Sequence, residues 1–186
     1  MSERVLGFDP GLTRCGYGLI SKSKSRQVSF EAVGVFESSA KEELTDRIER
    51  IGKLVAKLIS ETKPDSVAIE RVFSQQNLRS VMSVAQISGV IVFICKSKGI
   101  PVTFYTPTEV KAAVTGSGRA SKEQVSNMVV KILKLKEIPK PADAADALAI
   151  AITAAWRGTG ISAGNISTPA QQKWRAAEAA SKQKLR

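Results

Sequence analysis

VLGFDPGLTRCGYGLI, residues 5–20, contains two apolar runs separated by a turn that begins with Pro-Gly. The first run predicts a buried strand over residues 4–9, which ends at Asp9, and the second predicts a strand over residues 16–20. After a charged turn, residues 28–36 have the composition of a third strand. Three consecutive strands with short connections are typical of an antiparallel meander.

Helices and strands alternate after the meander. Apolar residues from Leu44 to Leu58 recur at helical spacing, and Thr106 and Ser121 each begin a capping box. The further elements predicted are a strand over 66–70, a helix over 80–98, a strand over 102–105, a helix after each capping box and a helix over 143–156. This order predicts an α/β fold with a mixed five-stranded sheet, its first three strands antiparallel, flanked by helices.

The core pattern fades from Gly158 onward. Nothing in the remaining Ala-, Gln-, Lys- and Arg-rich segment would pack tightly, and such segments stay mobile unless a partner orders them. We therefore predict one folded domain over residues 1–157 and a basic, mobile tail over residues 158–186.

The composition limits the classes of function. The chain has 186 residues, a formal net charge of +11 and no histidine. The positive charge favours a nucleic acid over an anionic membrane as partner, because no helix pairs a basic face with bulky apolar residues. The absence of histidine excludes Ser-His-Asp, Cys-His and zinc-histidine catalysis. Any hydrolysis would then depend on a metal-bound water as the nucleophile.

Targeting and redox signals are also informative. No stretch approaches the roughly 20 apolar residues that cross a bilayer, and the N-terminus leads directly into the first strand, so we expect no membrane span and no signal peptide. Cys15 and Cys95 are far apart and no CxxC spacing occurs, which indicates neither a zinc site nor a disulfide framework. The expected location is a reducing cytoplasm.

Two acidic residues end predicted strands in this basic chain. Asp9 could be a turn residue that bonds the following backbone amides. Glu70 could be a rim residue paired with Arg71, Lys63 or another nearby cation. However, the carboxyl ends of strands in open α/β sheets are where ligands bind, so both residues are also candidate ligands of a cation.

Asp143 and Asp146 give the sharpest signal. Their spacing on a helix places both side chains on one face, and helix capping explains Asp143 but not Asp146, which lies in an apolar run. Like charges on one face repel unless a cation lies between them. Oxygen-only ligands suit Mg²⁺ or Mn²⁺, and two such ions can support phosphodiester hydrolysis.

Several residues are candidates for contacting a nucleic acid. Lys111, Arg119 and Lys122 are basic residues around a Gly-Ser-Gly loop that leads towards a helix N-terminus, a typical phosphate site. Phe73 lies in a polar stretch after Glu70 and could stack on an unpaired base. The alternatives are a solvated basic face and an aromatic that packs a loop onto the core.

Taken in order, these motifs closely resemble the RuvC family of bacterial Holliday-junction resolvases, which has a ribonuclease H-like fold. The resemblance covers residues 4–157. The motifs that carry it are residues 6–11 (LGFDPG), 16–18 (GYG), 68–73 (AIERVF), 110–111 (VK), 116–118 (GSG) and 142–151 (ADAADALAIA). The last motif, in this order with the others, is specific, whereas the first also resembles the hairpin of actin-like kinases.

The resemblance implies a structure-selective endonuclease that resolves four-way DNA by paired, metal-dependent nicks, leaving 5′-phosphate and 3′-hydroxyl ends. It implies two Mg²⁺ ions, for which Mn²⁺ can substitute, and catalytic or DNA-holding roles for Lys111 and Lys122. The four acids implied as metal ligands are Asp9, Glu70, Asp143 and Asp146. Phe73 is implied to stack at the branch point.

The implied partners are a second copy of the chain and the RuvA and RuvB branch-migration proteins. Paired cuts in a two-fold symmetric junction suit a homodimer, and the apolar helix over residues 81–94 is the candidate surface. The alternative for that helix is ordinary core packing. Three other functions stay open: an actin-like ATPase or sugar kinase, a ribonuclease that trims ribosomal RNA, and a non-catalytic DNA-binding scaffold.

Overall fold

A computed structural model of the chain describes residues 2–25, 27–71 and 78–157. The strands are β1 (Glu3–Asp9), β2 (Arg14–Lys22), β3 (Val28–Glu37), β4 (Ser66–Glu70) and β5 (Val102–Tyr105). The helices are α1 (Leu44–Thr62), α2 (Leu78–Ser97), α3 (Pro107–Thr115), α4 (Lys122–Leu133) and α5 (Ala142–Arg157). The predicted α/β fold with a mixed five-stranded sheet is confirmed. The predicted tail, residues 158–186, lies outside the described residues.

The sheet has the strand order β3-β2-β1-β4-β5. β1 and β3 are antiparallel to β2, whereas β4 is parallel to β1 and β5 is parallel to β4. The first strand therefore lies at the centre, between the meander and the two parallel strands. This arrangement brings the end of β1 beside the end of β4.

Helices cover both faces of the sheet, and the alternation of side chains along β1 decides which residues face which layer. Val5 belongs to the apolar cluster under α3, α4 and α5. Leu6 and Phe8 belong to the cluster under α1 and α2. Gly7 and Asp9, which alternate with Leu6 and Phe8, face α5. No described helix is long and apolar enough to cross a membrane.

Three glycines let α5 approach the β1–β2 hairpin at backbone distance. A Cβ atom on Gly7 would overlap the backbone at Ala147, and one on Gly16 would overlap the backbone oxygen of Asp143. A Cβ on Gly18 would lie 2.8 Å from the backbone nitrogen of Leu148. Side chains at these positions would push the helix away from the sheet, so the glycines set the distance between α5 and the end of β1.

Both predicted capping boxes are present. The Thr106 side chain accepts a hydrogen bond from the Glu109 backbone N–H, and the Thr106 backbone N–H donates one to the Glu109 side chain. Ser121 and Gln124 form the same pair of bonds. These caps begin α3 and α4 at defined residues. They thereby fix where Lys111, in α3, and Lys122, the first residue of α4, stand relative to α5.

Candidate active site

Asp9 and Glu70 are the last residues of β1 and β4. Phe8 pairs with Ile69 in the parallel ladder, so Asp9 and Glu70 follow on neighbouring strands at the same edge. Both alternate with residues of the α1–α2 cluster and face α5. Asp9 ends the strand and does not belong to the turn after it.

Asp143 and Asp146 lie in the first two turns of α5, above this edge. The antiparallel register pairs Asp9 with Gly16, and the backbone of Asp143 rests on Gly16. The helix begins at Ala142, so Asp143 is inside its first turn and its carboxylate pairs with Arg14.

The charges of Glu70, Asp146 and Asp143 act on Asp9. Burial and, after it, these three negative charges together raise the pKa of Asp9 to about 7, against the lowering effect of Lys122. The raised pKa favours the protonated form of this carboxyl when no cation is bound. Any cation that enters the site stabilises the ionised form of a buried carboxylate with three acidic neighbours.

Glu70 experiences the same environment. Its pKa is raised by burial and by Asp146, and lowered by Lys122 and Lys111. The cations whose charge acts on Glu70 are thus Lys122 and Lys111. Lys111 and Lys122 approach the acids from α3 and α4, as a basic edge of the site.

Two cations contact the helix acids directly. Lys122 Nζ donates a hydrogen bond to Asp146 Oδ2 at 3.1 Å, and this bond, with the charge of Asp146, raises the pKa of Lys122. Arg14 Nε lies 3.2 Å from Asp143 Oδ2. No local motif in the sequence marks Arg14, because its contact depends on the register of β1 with β2 and on the position of α5.

In the part of the chain that the structure describes, no three acidic or cysteine side chains are close enough to hold one metal ion together. The carboxylates of Asp143 and Asp146 are turned to Arg14 and Lys122 instead. Neighbouring acids raise the pKa of Asp9 and of Glu70, after burial, but the described side chains do not form a ligand cage. Their assignment as metal ligands stays a prediction.

The remaining predicted residues lie further out. Arg119 is exposed and lines a groove of about 460 Å³ between α3 and α4, together with Ser117 and Lys131. Phe73 lies outside the described residues, so its predicted stacking role has no structural counterpart here. The basic residues Lys111, Arg119 and Lys122 all lie on the α3–α4 segment.

Comparison with known proteins places this site in context. The model of the family described as crossover junction endodeoxyribonuclease RuvC matches residues 5–154. The chain is 52% identical to "Crossover junction endodeoxyribonuclease RuvC" of Paenarthrobacter aurescens, over 99% of this chain and 100% of that protein. It is 51% identical to the protein of the same name from Renibacterium salmoninarum, over 95% of this chain and 92% of that one.

Two solved structures of a RuvC protein have a similar fold. The Thermus thermophilus RuvC structure matches with a TM-score of 0.76 and 35% identity, over 84% of this chain and 97% of that one. The structure of Thermus thermophilus RuvC in complex with Holliday junction substrate matches with a TM-score of 0.79, over 83% of this chain and 94% of that one. The fold implied by the resemblance is thus confirmed, and this chain belongs to the RuvC family of crossover junction endodeoxyribonucleases.

Proposed function

We propose that this protein resolves Holliday junctions in DNA recombination and repair. It would cut two strands of like polarity in a four-way DNA junction by paired hydrolytic nicks and leave 5′-phosphate and 3′-hydroxyl ends. The observation that carries this proposal is the buried Asp9 carboxylate at the end of β1, with Glu70, Asp143 and Asp146 near enough for their charges to act on it, in a chain of net charge +11. The junction-bound Thermus relative supports the choice of substrate.

The family is one of metal-dependent nucleases, and we propose Mg²⁺, with Mn²⁺ as a substitute, at two ions per site. The donor set fits, because all four candidates offer carboxylate oxygens. Burial and, after it, the charges of Glu70, Asp146 and Asp143 raise the pKa of Asp9, and a bound cation would relieve both effects. Asp9, Glu70, Asp143 and Asp146 would hold the ions. When bound, such ions activate water and neutralise charge on phosphate oxygens.

Lys111 and Lys122 have a separate role in this proposal. Both lie near enough to Glu70 for their charges to lower its pKa. In this proposal they are therefore next to the phosphodiester that is cut. An ammonium group there stabilises negative charge that grows on the phosphate oxygens during cutting. Arg119, in the connection between α3 and α4, would hold the DNA backbone, and Phe73 would stack on a base at the branch point.

We propose that the protein acts as a homodimer that self-pairs through α2. One side of this helix packs into the core with Ile87, Ile91 and Cys95. The other side is apolar but exposed: Phe93 is 74% exposed and Met82 is 59% exposed. Gly89 lies between them on this side, with open space around it. An apolar stripe of this kind on a helix favours a partner helix.

Substituting Phe93 with glutamate should convert the dimer to a monomer, because the buried charge would cost more than the contact contributes. Sedimentation equilibrium measures the mass, and a supercoiled plasmid with an extruded cruciform reports the pairing of cuts. The variant should give nicked circles where the parent gives linear molecules. Leu44→Glu, an exposed apolar residue on α1, is the control and should behave as the parent. A parent protein that sediments as a monomer would contradict the proposal.

We further propose a cytoplasmic location and contact with RuvA and RuvB as the branch-migration complex. Both rest on the family resemblance, and the reduced, buried state of Cys15 and Cys95 is compatible with a reducing compartment. We propose that residues 1–157 form the nuclease domain and that residues 158–186 add nonspecific affinity for DNA through their positive charge.

The direct test is incubation of the full chain with a synthetic four-way junction, followed by a denaturing gel. We expect symmetric nicks in two strands with Mg²⁺ or Mn²⁺ and none with EDTA, and no cutting of linear duplex of the same sequence. Parallel reactions with structured RNA and with ATP test the ribonuclease and kinase alternatives. Junction binding without any cutting in Mg²⁺ would favour the scaffold alternative and would overturn the proposal.

A further inference from the structure

A cleft of about 390 Å³ adjoins the acids on the side of the β1–β2 turn. Asp143 forms part of its wall and is also one of the four acids of the candidate active site. Its wall also includes Thr13 and Arg14 of the β1–β2 hairpin, Arg47 of α1 and Ser83 of α2. It therefore extends the site towards the layer of α1 and α2, away from the lysines of α3 and α4.

Arg47 is held rigidly in this cleft by neutral groups. Its Nη2 donates a hydrogen bond to Thr13 Oγ1 at 2.9 Å and its Nε donates one to Ser38 Oγ at 3.0 Å. Ser38 is buried and donates in turn to the backbone oxygen of Leu12 at 2.6 Å. These bonds orient the guanidinium group, but hydroxyl partners do not neutralise its charge. Among the residues that the structure describes, no acid forms an ion pair with Arg47, and an oriented arginine of this kind is a suitable group for binding an anion.

Arg14 lies in the same cleft and is half exposed. Its closest contact with Asp143 joins Nε to one carboxylate oxygen at 3.2 Å, between side chains that are 53% and 24% exposed. Exposed pairs of this kind contribute little stability. Arg14 can therefore exchange Asp143 for a stronger anionic partner at small cost.

The arginines of the cleft also offset the repulsion between the four acids and a DNA backbone. Four carboxylates repel a phosphate backbone that approaches them. Lys111 and Lys122 offset this repulsion from the side of α3 and α4. On the side of the β1–β2 turn, Arg14 and Arg47 are the cations that line the cleft. A DNA strand that crosses the acids would thus meet positive charge on entering and on leaving.

We propose that the cleft of Arg14 and Arg47 binds a phosphodiester group of the junction strand, next to the one that is cut. This inference rests on the proposed function. The two guanidinium groups would bind the phosphate oxygens, with Arg47 as the fixed element and Arg14 as the one that leaves Asp143. Binding there is independent of the metal ions, and it would position the strand over the acids.

The test measures junction affinity of the full chain in EDTA, where no cutting occurs, over a series of KCl concentrations. Each arginine that neutralises a phosphate contributes about one unit to the slope of log K against log salt. Arg14→Gln should lower that slope by about one and Arg14→Gln with Arg47→Gln by about two. The matched control is Arg50→Gln, which also removes one arginine and frees one acid, because Arg50 pairs with Glu42 at 3.1 Å. It should keep the parent slope.

A second arm locates the contact. Junctions that carry one neutral methylphosphonate linkage at a time should show one position near the cut where neutralisation weakens binding to the parent. In Arg14→Gln, the same linkage should have no further effect, because its partner is already gone. Arg14 is exposed, so this variant decides the question even if Arg47→Gln, which loses its bonds to Thr13 and Ser38, folds poorly.

The inference is overturned if Arg14→Gln keeps the slope of Arg50→Gln, or if every neutral linkage weakens the variant and the parent equally. If the parent still cuts junctions with Mg²⁺, either result rejects only the proposed phosphate site in the cleft. The proposed function as a junction resolvase would then be unaffected. A parent that neither binds nor cuts junctions would remove both.

Discussion

Replacing Asp9 with asparagine should abolish junction cutting and, at the same time, stabilise the metal-free protein at pH 8. Activity is lost because asparagine removes one charged ligand from the proposed metal site, and we expect a fall of at least about 1000-fold, as for loss of a central catalytic group. Stability rises because the Asp9 carboxylate is buried beside three other acids. The two effects have opposite signs and come from the same charge.

The pH dependence follows from the pKa of Asp9, which is about 7 in the folded protein against an ordinary value of 3.8 for an aspartate. Between these values the folded state holds a proton that the unfolded state has released, so the free energy of unfolding falls as the pH rises from 4 to 7. Above pH 7 this contribution no longer changes. The asparagine variant has no such decrease in the free energy of unfolding. The difference in stability between the variant and the parent should therefore grow from pH 4 and level off near pH 8.

One pKa unit corresponds to about 1.4 kcal/mol, and relaxation around the site reduces the full value, so we expect a gain on the order of 2 kcal/mol at pH 8. For a chain of this size that raises the melting temperature by about 5 °C. Thermal unfolding in EDTA at several pH values measures it. Mg²⁺ should then stabilise the parent but not the variant, because ligands stabilise only the state that binds them.

Asp46→Asn provides the control for this result. Asp46 is exposed in the first turn of α1, where a negative charge interacts favourably with the helix N-terminus. Its loss should lower stability slightly and leave cutting unchanged. An Asp9→Asn protein that melts at or below the temperature of the parent in EDTA at pH 8 would show that the charges at this site do not oppose one another.

Replacing Gly16 with alanine should destabilise the fold and inactivate the enzyme together. The added Cβ would overlap the backbone oxygen of Asp143, and neither β2, in mid-sheet, nor the first turn of α5 can move without breaking other contacts. Overpacking of a core costs about 1–3 kcal/mol and sometimes more, so we expect a loss of about 3 kcal/mol. Any relief of the overlap moves Asp143 and Asp146 away from Asp9, and cutting should fall more than about 100-fold because catalytic geometry tolerates little displacement.

Gly52→Ala is the matched control, since it makes the same chemical change in α1. There the nearest atom to the added Cβ is a side-chain methyl of Val90 at 3.1 Å, which can shift, and alanine favours the helix. Urea unfolding and junction cutting measure both variants. If Gly16→Ala matched Gly52→Ala in stability and rate, the close packing of α5 on the hairpin would not be what positions its acids.

Much of this protein can be predicted from its sequence because the signals are local. The strands follow from short apolar runs, and α3 and α4 begin where Thr106 and Ser121 form capping boxes, which involve residues three apart. The shared face of Asp143 and Asp146 follows from helical periodicity. The four acids were therefore identified as candidates, although their role as metal ligands stays a prediction.

The tertiary structure alone decided how these elements combine. The order β3-β2-β1-β4-β5 brings Asp9 beside Glu70, and the glycines under α5 bring the helix acids down to them. The pairing of Arg14 with Asp143, and the cleft that Arg14 shares with Arg47, depend on contacts between residues far apart in the chain. Local patterns carry no information about such contacts, because strand register and layer packing are set by the whole core and not by neighbouring residues.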